Sequence, residues 1–173
     1  LRRGRPCCHI QFDEATAVLA GDSLQMLAVQ VICQELDAQP ARESLRILSE
    51  AAGRGKLVGG QQDDLAAEGR FGPVDMAGLE PLDRVKCIHR RKTSALIEAS
   101  LQLGGVAGAA TLDHLRSLSA YGRAVGLAFQ IVDDCLDVES TAEQLGKKTH
   151  KDSELGKLTY PSLLGLQQSR ALA

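Results

Sequence analysis

The chain has 173 residues, a net charge of −2, aromatics at 3% and no Trp, with Ala, Leu and Gly dominating. The length supports one domain with a sizeable core, the composition suits packed helices rather than sheet, and no basic face dense enough for a nucleic-acid partner is present. Its five cysteines include no C-x-x-C pair, which argues against a zinc or disulfide framework and for a reduced, cytosolic compartment. No apolar run is expected to reach the ~20 residues of a membrane span.

Phe12, Ala15, Leu19, Leu24, Leu27, Val31 and Ile32 recur at helical spacing and predict a long helix over 12–37. Pro40 is expected to break it, and Leu45, Leu48 and Ala52 share one face of a second helix over 42–53. A third runs over 56–68, closed by Gly69, Gly72 and Pro73. The fourth spans 79–103 and ends in Gly104-Gly105, and the fifth spans 112–138. Beyond a lysine-rich loop, Tyr160-Pro161 opens a sixth, with proline at an early position where its missing N–H does no harm. No strand-like alternation or internal repeat competes. The expected fold is all-α, a single bundle over 1–173.

Asp133-Asp134-Cys135-Leu136-Asp137 is a D-D-x-x-D box set in the apolar run Gly126-Leu127-Ala128-Phe129-Gln130-Ile131-Val132. A buried, unpaired carboxylate costs several kcal/mol, so three in such a segment need a reason. On a helix Asp133 and Asp137 are i and i+4 and share a face, with Asp134 about 100° round. The repulsion between them makes sense if a cation sits there, and oxygen-only ligands favour Mg²⁺ shared with a substrate phosphate. The plainer alternative is an acidic helix end beside a loop. Lysines at Lys147, Lys148, Lys151 and Lys157, in Gly-containing segments just downstream, suit a polyphosphate whose other oxygens lie on the metal.

From 126 to 166 the sequence resembles the second aspartate-rich region of the trans-isoprenyl diphosphate synthases, the farnesyl and geranylgeranyl diphosphate synthase family. Further segments are similar in the same order. Leu1-Arg2-Arg3-Gly4-Arg5-Pro6 with His9 resembles L-R-R-G-x-P-x-x-H. Residues 14–22 resemble the A-x-L-x-G-D helix. Gly59, Gln61, Asp64 and Glu68 match G-x-Q-x-x-D-x-x-x-E, and His89, Lys92 and Thr93 match H-x-x-K-T. The resemblance implies that a first aspartate-rich motif and an isopentenyl diphosphate site lie upstream. The stretch would then be roughly the C-terminal two-thirds of a synthase, inactive alone.

The resemblance also implies roles. Asp133, Asp134 and Asp137 become the second Mg²⁺ motif, with Asp133 the strongest ligand candidate and Asp137 the weakest. Arg2 and Arg3 become the diphosphate-binding pair, where guanidinium forks match phosphate geometry. Lys92 contacts the allylic diphosphate, Thr93 places its hydroxyl beside the developing allylic cation, and the Gln130 amide oxygen faces that cation. Lys147 and Lys157 bind diphosphate. Gln61 and Asp64 either orient a neighbouring lysine or threonine or make inter-helix hydrogen bonds, the structural role being favoured. His9 and His89 are packing or hydrogen-bonding residues rather than metal ligands, and Cys7-Cys8 is incidental. Asp63, Arg5 and Cys7 depart from the family pattern.

The implied reaction joins isopentenyl diphosphate to an allylic diphosphate through an allylic carbocation. Positioning and charge neutralisation do the work of a nucleophile. His9 and the Thr159-Tyr160-Pro161 triplet point to the short-chain farnesyl or geranylgeranyl class, in a homodimeric, cytoplasmic enzyme. The alternatives are a terpene cyclase, disfavoured by three aspartates followed by a glycine-lysine segment, and a non-catalytic regulatory subunit, disfavoured by an intact box.

Overall fold

A computed structural model describes residues 5–70, 76, 78–145 and 158–173, with the side-chain surroundings of 140–145 left aside. All its regular elements among these residues are helical. Contacts cluster in two compact units, Leu1–Leu45 and Arg46–Ala173.

In the first unit, α1 (Cys8–Gln11) packs against α2 (Glu14–Glu35). Asp13 caps α2: its carboxylate accepts the Thr16 N–H at 2.7 Å and the Thr16 hydroxyl at 2.8 Å. Those bonds favour the charged form and hold the Asp13 carboxyl below its ordinary value. No residue of α2 is buried. Val18, Leu19, Leu24, Met26, Leu27 and Val31 are all exposed, and their positions run right round the helix. Contrary to expectation, this 22-residue helix is long and apolar enough to cross a membrane by length and composition. Asp22, Ser23 and Gln25 break the helix into short apolar runs, none of which is long by itself.

Helix α3 (Ala38–Ala52) starts before Pro40 rather than after it, because a proline in the first turn has no intrahelical N–H bond to lose. In the second unit, α4 (Leu57–Ala67) follows a short turn. The fourth expected helix is three pieces: α5 (Pro81–His89), a π-helical turn (Arg90–Ser94) and α6 (Ala95–Ala107). Within the π turn the Ala95 N–H donates to the Arg90 carbonyl, five residues back. The Ser94 hydroxyl donates to the His89 carbonyl at 3.4 Å, which helps satisfy the backbone where the ladder slips.

Gly104-Gly105 does not end α6. An added Cβ at Gly105 would sit 2.7 Å from Leu115 and 2.8 Å from Leu118, so the glycine admits α7 (Leu112–Leu145) rather than stopping a helix. The same test places Gly122 against Glu98, at 2.6 Å from its Cα, and Gly126 against Ser94, at 2.5 Å from its Cα. Helices α6 and α7 therefore run antiparallel with backbones in close approach. The sixth expected helix is two, α8 (Tyr160–Leu164) and α9 (Leu166–Leu172). Thr159 and Ser162 form a capping box at its start, and Gly165, at φ 79°, breaks it in a conformation that suits glycine.

Two apolar clusters hold this unit. Val85, Ile131, Cys135 and Tyr160 are buried together with Leu82, Leu127, Leu158, Leu163, Leu164 and Leu166 around them. Ile47, Ala51 and Ala99 form the second, with Leu103 and Val106. The first cluster joins α5, α7, α8 and α9, and thereby fixes how α7 is rotated about its axis.

Candidate active site

Lys92 and Thr93 both lie in the π turn, while Gln130, Asp133, Asp134 and Asp137 lie on α7. The turn is held from two sides by glycines. A Cβ on Gly60 of α4 would collide with the Lys92 backbone nitrogen and come within 2.7 Å of the Arg91 Cβ, and Gly126 meets Ser94 from the α7 side. Packing this close to backbone leaves the turn little freedom.

Side chains then fix what the turn presents. Lys92 Nζ pairs with the Asp64 carboxylate of α4, a contact that both joins the two elements and positions the lysine. Arg91, next door, pairs with Asp63 and donates from Nε to the Gly55 carbonyl at 3.2 Å. Asp63, which departs from the family pattern, thus has a partner of its own. Two adjacent carboxylates on α4 engage two adjacent cations on the turn, a double pairing that neither residue alone signals in the sequence. Gln61 is exposed, as is His9.

The Thr93 hydroxyl donates to Gln130 Oε1 at 2.8 Å. At its other end the Gln130 amide NH₂ faces Asp133 Oδ2 at 3.4 Å and Asp134 Oδ1 at 3.3 Å. Carboxylates at that end require the nitrogen there, which fixes the amide's orientation and turns its oxygen to Thr93. A polar line runs from the π turn to the aspartate box. Four sequence-predicted residues, Thr93, Gln130, Asp133 and Asp134, are brought together.

The three aspartates of the box are not equivalent. Asp133 and Asp137 are exposed on one face, whereas Asp134 is only 5% exposed. Its Oδ2 lies 3.5 Å from His89 Nε2 and accepts the Tyr160 N–H at 3.4 Å. The His89 ring stacks on Tyr160, with centroids 5.6 Å apart and planes at 26°. The Asp134 carboxylate, expected among the metal ligands, points inward, because a position 100° round from Asp133 on α7 meets α5 and α8. His89, expected as a packing or hydrogen-bonding residue, meets both the Asp134 carboxylate and the Tyr160 ring here. Cys135 and Tyr160 lie in the same core, where burial pushes the Cys135 thiol and the Tyr160 phenol above their ordinary values, against the opposing pull of Arg170 and Arg90.

A donor set of two exposed carboxylates at i and i+4 fits a hard divalent cation that keeps waters and shares a phosphate. Among the described residues no group of three or more His, Cys, Asp or Glu side chains converges, so Asp133 and Asp137 would be part of a shared ligand set. Arg2, Arg3, Lys147 and Lys157 lie outside the described residues.

The polyprenyl synthetase family model matches residues 1–172. The chain belongs to the polyprenyl synthetase family. It is 44% identical to farnesyl diphosphate synthase of Escherichia coli (strain K12), over all of this chain and 57% of that protein. It is also 44% identical to geranylgeranyl pyrophosphate synthase 12, chloroplastic, of Arabidopsis thaliana, over all of this chain and 48% of the relative. A geranyltransferase from Helicobacter pylori, solved with magnesium and isoprenyl diphosphate, superposes with a TM-score of 0.78 at 35% identity, covering 99% of this chain and 54% of that one. This polyprenyl synthetase chain thus spans about half the length of the curated relatives it matches, and it shares the all-α fold of the solved synthases.

Proposed function

We propose that this polyprenyl synthetase chain contributes the leaving-diphosphate half of a prenyltransferase that joins isopentenyl diphosphate to an allylic diphosphate, giving a farnesyl or geranylgeranyl product. The observation that carries the proposal is the line Lys92–Thr93–Gln130–Asp133, presented by a π turn and one face of α7. Lys92, held by Asp64, offers a cation to the allylic diphosphate. The Thr93 hydroxyl and Gln130 amide oxygen form a preorganised dipole pair beside the allylic carbon, where positive charge develops as the C–O bond breaks. Asp133 and Asp137 would hold Mg²⁺, which when bound neutralises the departing diphosphate. Arg2, Arg3, Lys147 and Lys157 carry the family's phosphate-binding roles in this proposal. The apolar wall of α7 shields the carbocation from water.

A second copy of the chain is the proposed partner. A helix with large apolar residues on several sides is ordinarily buried, and α2 is such a helix with none of its residues buried. A bilayer suits it less well, since Asp22 falls mid-helix and a carboxylate there costs about 2.5–3.5 kcal/mol. The cytoplasm is the proposed compartment, on the strength of five cysteines that are all free thiols. Relatives named as chloroplastic and mitochondrial share the family.

The test is turnover of isopentenyl diphosphate with geranyl diphosphate and Mg²⁺ by the full-length protein. Asp133→Ala is expected to cut the rate by about a hundredfold or more, as removal of a charge-stabilising group does, with the helical circular dichroism unchanged. A residual rate above about a tenth of wild type, under ~1.4 kcal/mol of barrier, would make the box a surface feature.

A further inference from the structure

We propose that Asp134, the second aspartate of the box, is not a metal ligand but a positioning residue that with His89 sets the orientation of Gln130 and the rotation of α7. The inference rests on the prenyl transfer reading of the site, and refines which carboxylates serve it.

Both Asp134 oxygens are engaged by protein donors. Oδ1 takes the Gln130 amide at 3.3 Å, and Oδ2 takes the Tyr160 N–H at 3.4 Å and faces His89 Nε2 at 3.5 Å. A carboxylate that binds a metal needs lone pairs open to it, and a carboxylate this buried is costly unless protein donors satisfy it. Asp133 and Asp137 have the opposite character, exposed on a shared face.

The location of the partners explains what the contact does. His89 closes α5 and immediately precedes the π turn of Lys92 and Thr93. Tyr160 opens α8, and its ring stacks on His89. Asp134 therefore ties the root of the π turn, the middle of α7 and the start of α8 at one carboxylate. By drawing the Gln130 nitrogen to itself, it leaves the amide oxygen for the Thr93 hydroxyl at 2.8 Å. Without Asp134 the amide nitrogen keeps only the exposed Asp133 carboxylate, at 3.4 Å, and turns over more readily to present its nitrogen to the carbon that becomes cationic, which is the wrong dipole.

The experiment compares Asp134→Asn, Asp134→Ala, His89→Gln and Asp133→Asn in the full-length protein. It reads the metal-free melting temperature and the affinity for Mn²⁺ by electron paramagnetic resonance, in the presence of inorganic diphosphate. Asp133→Asn is expected to leave the metal-free melting temperature at the wild-type value and to weaken Mn²⁺ binding about tenfold or more, as loss of a first ligand does. Asp134→Asn and His89→Gln should lower the metal-free melting temperature by about 4 °C or more and keep the Mn²⁺ affinity within about threefold of wild type. Asp134→Ala should fall further than Asp134→Asn, because the amide still accepts the Tyr160 N–H. If Asp134→Ala does not fold, Asp134→Asn carries the comparison. In turnover, Asp134→Asn should lower kcat while leaving the KM for both diphosphates near wild type.

An Asp134→Asn protein that melts like wild type overturns the proposal, and so does one that loses as much Mn²⁺ affinity as Asp133→Asn. A wild-type protein without prenyl transfer would refute the proposed reaction, and the melting comparison would still decide the role of Asp134.

Discussion

Thr93 and Gln130, 37 residues apart in the chain, share a 2.8 Å hydrogen bond in which the threonine hydroxyl donates to the amide oxygen. Each residue completes the other. The hydroxyl proton is committed to Gln130, which leaves the threonine lone pairs turned outward, and the amide oxygen gains a fixed partner.

Replacing Thr93 with Val keeps the shape and removes the donor. A half-buried acceptor then loses its partner, at about 1–3 kcal/mol. Turnover of the full-length protein should fall by roughly five- to a hundredfold, whereas Thr93→Ser should stay within about threefold of wild type. Steady-state kinetics on both variants measures this, and equal losses would deny the hydroxyl its role.

The Lys92–Asp64 pair predicts coupling between two positions. Lys92→Ala should raise the KM for the allylic diphosphate about tenfold, with a smaller effect on isopentenyl diphosphate. Asp64→Asn should do the same more weakly by leaving the ammonium unanchored. The double variant should be no worse than Lys92→Ala alone, since neighbours in one ion pair are not additive. Full additivity in a double-mutant cycle would mean that Asp64 acts elsewhere.

Gly60→Ala should destabilise the second unit by about 1–3 kcal/mol, the usual cost of forcing a methyl group into a filled space. The added carbon meets the Lys92 nitrogen and Arg91. Gly104→Ala is the control: nothing lies within 4 Å of its would-be Cβ, and it sits inside α6. That substitution should be stabilising by roughly 0.5–1 kcal/mol, because alanine loses less backbone entropy in a helix. Urea denaturation midpoints of the two variants should therefore move in opposite directions.

The core around Asp134 gives a pH dependence. Burial raises the Tyr160 phenol above its ordinary 10.0 and the Cys135 thiol above its ordinary 9.0. A raised pKa means that the folded state holds the proton more tightly than the unfolded chain does. The stability this contributes is whole below those ordinary values and is lost as pH rises through the folded ones. Melting temperature should decline above pH ~9, and Tyr160→Phe should flatten the part of the decline above pH ~10. A Tyr160→Phe curve parallel to wild type throughout would show that other groups drive it.

Much of the site was legible because its chemistry is local in sequence. The aspartate box, Gln130 three residues before it and the adjacent Lys92-Thr93 all lie in short stretches, and periodicity alone placed α2, α4 and α7 to within a few residues at their starts. What escaped depended on partners far along the chain. An i+4 pattern cannot show that Asp134 turns inward, since that follows from His89 and Tyr160 crossing α7 at that point. Glycine pairs read as helix stops, and Gly104-Gly105 failed as a stop because Leu115 and Leu118 needed the space. Nor does composition announce a π turn: Arg90 to Ser94 contains no glycine or proline to mark it.

That turn behaves as a phase shift in a screw. A π-helical turn carries one residue more than the α-helix around it, and each residue of an α-helix advances the side chains by about 100°. Glu98 and Gly105, which meet α7 at Gly122 and at Leu115 and Leu118, are in phase with it only because the extra residue has already been counted. Deleting a single residue between Arg90 and Ser94 would restore an unbroken helix and improve its hydrogen-bond ladder. It would also swing either Lys92 and Thr93 or the whole of α6 a quarter-turn or more out of alignment. In this segment a more regular backbone and a working site are mutually exclusive, so length there should be far less tolerant of change than residue identity.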